Sequence, residues 1–147
     1  MKEDMRTKNL TLRDIHVGDW VQVWNETTKS YSLPSRIVSI YEDGTIYLVM
    51  NDKEKCAPRK ENIKNVDALP IHIDLLKGFG FEKMTFGGFR YKEYPFKYSM
   101  LTGILYIENV ASPIEYFHDL QDDLAKYLPD EQLKFEWKGV ENERDKV

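Results

Sequence analysis

The chain has 147 residues, 41% hydrophobic and 31% charged, with a net charge of -4 and a single cysteine. This composition excludes wholesale disorder, a disulfide scaffold and a globally basic nucleic-acid binder, and no run of 18 apolar residues offers a transmembrane helix. The charge is unevenly spread: residues 71 to 100 carry 5 basic and 3 acidic side chains, residues 101 to 147 carry 5 and 11, so a phosphate-binding surface belongs in the first hundred residues.

The mixed charges at Met1-Lys2-Glu3-Asp4-Met5 lack the apolar core of a signal peptide, which makes a cytoplasmic protein the default expectation. Beyond them, Leu12 and Ile15 read as a short turn under a sheet, and Gly18-Asp19 leads into Trp20-Val21-Gln22-Val23-Trp24. The alternation predicts a strand with Val21 and Val23 on its core face and Trp20, Gln22 and Trp24 outward. After a polar loop, Tyr31 stands where a binding rim is expected. Arg36 to Tyr41 and Ile46 to Met50 flank Asp43-Gly44, a hairpin signal because glycine accepts the positive φ of a tight turn.

Asn51 to Lys55 reads as a turn, Cys56-Ala57-Pro58 as an edge strand, Glu61-Asn62-Ile63 as a helical turn, and Val66 to Pro70 as the fifth strand. Ile71 to Gly78 predicts a short helix with Gly78 in the left-handed cap, followed by a packing turn at Phe79-Gly80-Phe81. Aromatic residues then recur from Met84 to Tyr98 around Gly87-Gly88, a second hairpin turn, with Arg90, Lys92 and Lys97 among them. Gly103 to Val110 is a further strand. Ser112-Pro113-Ile114-Glu115 has the form of a capping box and predicts a helix with Ile114, Phe117, Leu120 or Gln121, Leu124 and Leu128 on one stripe, ended by Pro129. Leu133 to Trp137 predicts a last strand, and residues 139 to 147 a flexible tail.

The expected fold is α+β: a five-stranded SH3-like β-barrel over residues 10–70, then a small α/β part over 71–138 with antiparallel strands and one main helix. The blocks Ile15-His16-Val17-Gly18-Asp19-Trp20-Val21, Leu69-Pro70-Ile71, Leu75-Leu76, Gly78-Phe79-Gly80-Phe81 and Tyr116-Phe117-His118-Asp119-Leu120-Gln121 support a resemblance. In order and spacing they resemble a family of small bacterial prophage and mobile-element proteins without an established activity. Members often carry Glu where this chain has Asp119. The resemblance implies the same two-part organisation and no catalytic residue.

Three candidate surfaces follow. Trp20, Trp24, Tyr41 and Tyr47, with Tyr31 beside them, form either an aromatic platform for a ligand or rings covered by the C-terminal part. Arg90 and Lys92 form either a phosphate-binding strand face or an ordinary solvated one. His118 and Gln121, one helical turn apart, orient a ligand or bond within the fold. No phosphate loop, nucleophile elbow or zinc motif is present, and no cofactor, metal site or membrane association is expected. The expected function is noncatalytic binding to an unidentified protein partner, with nucleic-acid binding as the alternative.

Overall fold

The computed structural model describes residues 6–50, 57–107, 110–128 and 135–138. The expected turn at residues 51–55, Cys56, the Pro129 stop and the tail lie outside them. The protein is α+β, with mostly antiparallel strands in two sheets and two helices among the described residues. It divides into two compact units: Met1–Pro70 with Tyr116–His118, and Ile71–Glu115 with Asp119–Val147.

In the first unit, β1 (Trp20–Asn25), β2 (Ser30–Tyr31), β3 (Ser35–Ile40), β4 (Thr45–Met50) and β5 (Arg59–Asn62) run in the sheet order β2-β1-β3-β4-β5, and β6 (Val66–Asp67) pairs with β1. A single 3₁₀ turn, Ile63–Asn65, carries the chain from β5 to β6. Three residues cannot cross a flat sheet, so the sheet curls to bring its far strands together. The turn starts two residues later than expected, after Asn62, whose carboxamide oxygen accepts from the Lys64 amide at 3.0 Å. The edge strand is Arg59–Asn62, later than expected; its charged residues guard an otherwise open edge.

The β3–β4 hairpin forms around Asp43-Gly44: Gly44 takes φ 94°, and the Asp43 carboxylate accepts from the Thr45 amide at 2.9 Å. A bulge between Ile37 and Ser39 shifts the register, which otherwise sets Ile37 opposite Leu48 and Ile40 opposite Ile46. Ile37, Ile46 and Leu48 join Leu10, Ile15, Val21, Val23, Val66 and Ala68 in one apolar core. Each valine, leucine and isoleucine there contributes about 1.5–3 kcal/mol through burial.

The outward face expected for β1 is not open. Trp20 is 0% exposed and Trp24 5%, so both faces of this strand are buried. Gln22 is buried as well, because its amide donates to the Ala68 carbonyl at 3.1 Å and is thereby satisfied away from water.

The second unit is an antiparallel sheet in the order β11-β10-β9-β8-β7, built from β7 (Glu82–Lys83), β8 (Gly88–Arg90), β9 (Phe96–Ser99), β10 (Ile104–Ile107) and β11 (Val110–Pro113). Helix α1 (Ile73–Gly78) precedes it. Its left-handed cap is Gly80, at φ 93°, rather than Gly78. The Phe81 amide donates to Leu76 O and the Gly80 amide to Lys77 O, the two bonds of a Schellman ending. Gly78 serves another purpose: its bare Cα lies flat against the Trp137 ring, where any Cβ would collide.

Two sequence expectations fail here for physical reasons. Ser112 and Pro113 do not start a helix; Ser112 is paired with Leu105 and Pro113 with Ile104 in β11. As an edge strand β11 loses nothing by the missing proline N–H. Helix α2 starts instead at Phe117 and runs to Leu124, with Phe117, His118, Leu120, Gln121 and Leu124 buried and Ile114 lying before it. The expected last strand is also not formed at Phe135–Lys138, which follow an irregular path. That path is held by the Lys138 amide donating to Gly78 O at 2.7 Å and by Phe135, stacked 5.8 Å from Phe81.

Candidate functional site

The first unit's polar centre is Asp67, on β6 within the apolar run Val66-Asp67-Ala68-Leu69, and it is 0% exposed. A carboxylate there is retained only if it is paired and fully hydrogen-bonded. Arg6 forks onto it, Nε donating to Oδ2 at 2.9 Å and Nη2 to Oδ1 at 2.6 Å. The Tyr31 hydroxyl donates to Oδ2 at 2.6 Å, and the Asn9 amide to Oδ1 at 3.1 Å. Asp67 raises the Arg6 pKa above its ordinary value, first through their hydrogen bond. Tyr31 is pushed up as well, by burial first and then by its bond to the carboxylate.

Around this centre the chain folds back on itself. The Thr7 amide donates to Tyr31 Oη at 2.6 Å, and the Thr7 hydroxyl to the Ala68 carbonyl at 2.7 Å. Trp24 and Tyr31, cross-strand partners in β1 and β2, meet edge to face at 4.9 Å, with the Arg6 guanidinium 5.8 Å over the indole. Trp24 Nε1 donates to Glu26 at 2.8 Å. Tyr31 and Trp24 are therefore joined to a polar network, and neither forms a free rim. Arg6, Asn9 and Asp67 were not singled out by the sequence. The available signal was an acidic residue inside an apolar strand.

Tyr41 and Tyr47 form the aromatic pair that faces outward. Their rings meet edge to face at 5.8 Å on the β3–β4 hairpin, with Tyr41 52% exposed. Lys60 stands opposite Tyr47 on β5. These side chains combine ring area with a cation on one sheet face, the chemistry of a protein contact surface.

In the second unit, Arg90 lies directly opposite Lys97, which lies opposite Tyr106, and all three are exposed. Phe89, Phe96 and Tyr98 occupy the other, buried face. Arg90 is shared with Glu82, its Nε donating at 3.2 Å. Lys92 lies outside this row, in the turn between β8 and β9 at φ 51°, with its ammonium 5.2 Å over the Tyr91 ring.

His118 and Gln121 are buried, at 2% and 8% exposure, so this pair presents no open surface. The His118 ring stacks 6.2 Å from Tyr116, and Lys8 lies 5.9 Å over Tyr116 on its side. Asp14 is held below its ordinary range chiefly by accepting from the Thr11 amide, with His118 a minor contributor. Among the described residues, neither unit by itself gathers three His, Cys, Asp or Glu side chains at metal-ligating distance. No protein-family model, no curated protein and no solved structure matches this chain.

Proposed function

We propose that the chain is a noncatalytic binding or adaptor protein of phage or mobile-element origin, whose first unit is an SH3-like barrel that engages a protein partner. The curled sheet and the 3₁₀ turn between β5 and β6 support the barrel reading. The observation that carries the binding reading is the outward Tyr41–Tyr47 pair, large ring area held at the surface beside Lys60. Buried Asp67, by contrast, is committed to internal bonds. The test is a parallel capture from host extract with the unaltered chain and with Tyr41→Ala/Tyr47→Ser. Proteins retained by the first and lost by the second support the reading; identical retention by both ends it.

One observation favours nucleic acid as a second reading: the adjacent Arg90, Lys97 and Tyr106 on an exposed sheet face. Two cations can meet phosphates and one ring can stack on a base. Retention on single-stranded DNA or RNA at low salt, lost in Arg90→Ala/Lys97→Ala, supports it. Absence of retention at low salt removes it.

A further inference from the structure

The segment Arg6–Asn9 binds the first unit as a ligand would. Asn9 forms an antiparallel bridge with Asp67, Ala68 N donates to Lys8 O at 2.7 Å, and Leu10 N donates to Val66 O at 2.9 Å. This is a strand added to the open side of β6. At its head, one arginine is read twice, by the Asp67 carboxylate fork and by the Trp24 face, and its Nη2 also donates to the Lys64 carbonyl at 2.9 Å. A planar guanidinium satisfies all three; an ammonium does not.

The segment is held by hydrogen bonds, one ion pair and the cation–ring contacts of Arg6 and Lys8. Its residues are half-buried or exposed, and the first fully buried apolar side chain after it is Leu10. Lifting it away therefore removes no apolar side chain of its own from the core. What it uncovers is the Trp24–Tyr31 pair beside a buried carboxylate. For stability alone an apolar pair in place of Arg6 and Asp67 serves about as well, whereas a forked carboxylate beside an aromatic ring gives selectivity for arginine.

We propose that Arg6–Asn9 is an internal occupant of a recognition groove whose external ligand is an extended, arginine-bearing segment of a partner protein, which adds to β6 in its place. The groove uses none of the residues of the Tyr41–Tyr47 face, so either proposal can fail alone.

A fluorescein-labelled peptide of the sequence Arg-Thr-Lys-Asn-Leu, matching residues 6 to 10, is the probe. It is titrated by anisotropy into the full chain and into Arg6→Ala/Asn9→Ala, with near-ultraviolet circular dichroism reporting the fold. Because the attached segment competes at high effective concentration, the double variant binds at least about tenfold more tightly than the unaltered chain. Adding Asp67→Asn, or replacing the peptide's arginine by lysine, weakens that binding at least about tenfold. No saturable binding to a folded double variant, or equal affinity for both chains, overturns the proposal. So does self-association of the unaltered chain through this segment, read by sedimentation. If the double variant does not fold, hydrogen exchange on the unaltered chain decides. The amides of Thr7, which donates to Tyr31 Oη, and of Ala68, which donates to Lys8 O, exchange at least about tenfold faster than that of Ile37 if the segment lifts as a unit, and equal protection overturns the proposal.

Discussion

The two units bury different chemistry. The first surrounds an aliphatic core with a polar network that converges on one carboxylate, Asp67, and draws residues 6, 9 and 31 to it. The second is closed by rings: Phe81 touches Tyr91, Phe96 and Phe135, and Phe79 touches Phe135 and Trp137, in edge-on, tilted and stacked pairs. Hydrogen bonds are directional and specify which segment lies where, while ring packing tolerates many angles and is proportional to area. The first unit therefore owes its register to a few named atoms, and the second owes its stability to shared surface.

The contrast is open to direct attack. The largest effect is expected in the second unit, where Phe89→Ala removes a fully buried ring from the sheet and costs about 3–5 kcal/mol, read by denaturant unfolding. Gly78→Ala comes next: its new methyl group displaces the Trp137 ring, and over-packing of this kind costs about 1–3 kcal/mol. In the first unit, Arg6→Ala leaves the Asp67 carboxylate with only neutral donors and costs about 1–3 kcal/mol. Adding Asp67→Asn to that variant restores part of the loss, so the two substitutions are non-additive. Simple additivity would show that the network does not act as a unit.

The pH limits sharpen the same comparison. Tyr91 and Tyr98 of the second unit and Tyr31 of the first are all pushed above 10.0, burial being the leading cause. The folded protein then holds these protons after the unfolded chain has released them. Stability is fully present below pH 10 and falls as pH rises through the native values. Asp14 has the opposite sign: its pKa lies below 3.8 because it accepts from Thr11, so its contribution is present above that pH and lost as pH falls through the native value. Thermal melts across both limits should show the alkaline loss in both units and the Asp14 loss in the first. The smallest effect belongs to Tyr41→Ala, which touches an exposed ring and changes stability by about 0.5 kcal/mol or less, while acting on partner capture.

Much of the local architecture was legible from turn chemistry. The β3–β4 hairpin follows from Asp43-Gly44, and the packing turn at Phe79-Gly80-Phe81 from its spacing, because both depend on residues close in the chain. What depends on distant partners was not legible. Alternation left the Trp20-Gln22-Trp24 face either open or covered, and what buries Gln22 comes from distant residues, Thr7 and Ala68, which satisfy its amide. The capping-box pattern at Ser112 was locally complete and was overruled by pairing with β10. At the basic face, alternation put Arg90 and Lys92 together, but Lys92 falls in the turn between β8 and β9, and it is Lys97 that stands opposite Arg90. The Asp67 network draws residues 6, 9, 31 and 67 from four separate stretches, and no motif links them.

The first unit is not a continuous piece of chain. Leu69 O receives the Phe117 amide at 2.8 Å, Pro70 bridges to Tyr116, and Tyr116 packs against the aliphatic core. During synthesis, the residues that complete this unit emerge only after the described strands of the second unit have been made. A ribosome-bound chain ending at Pro70 thus holds the sheet without its last edge. The split makes completion of the first unit wait for synthesis of residues 71 to 115, and a cut between residues 70 and 71 separates a sheet from part of its own core.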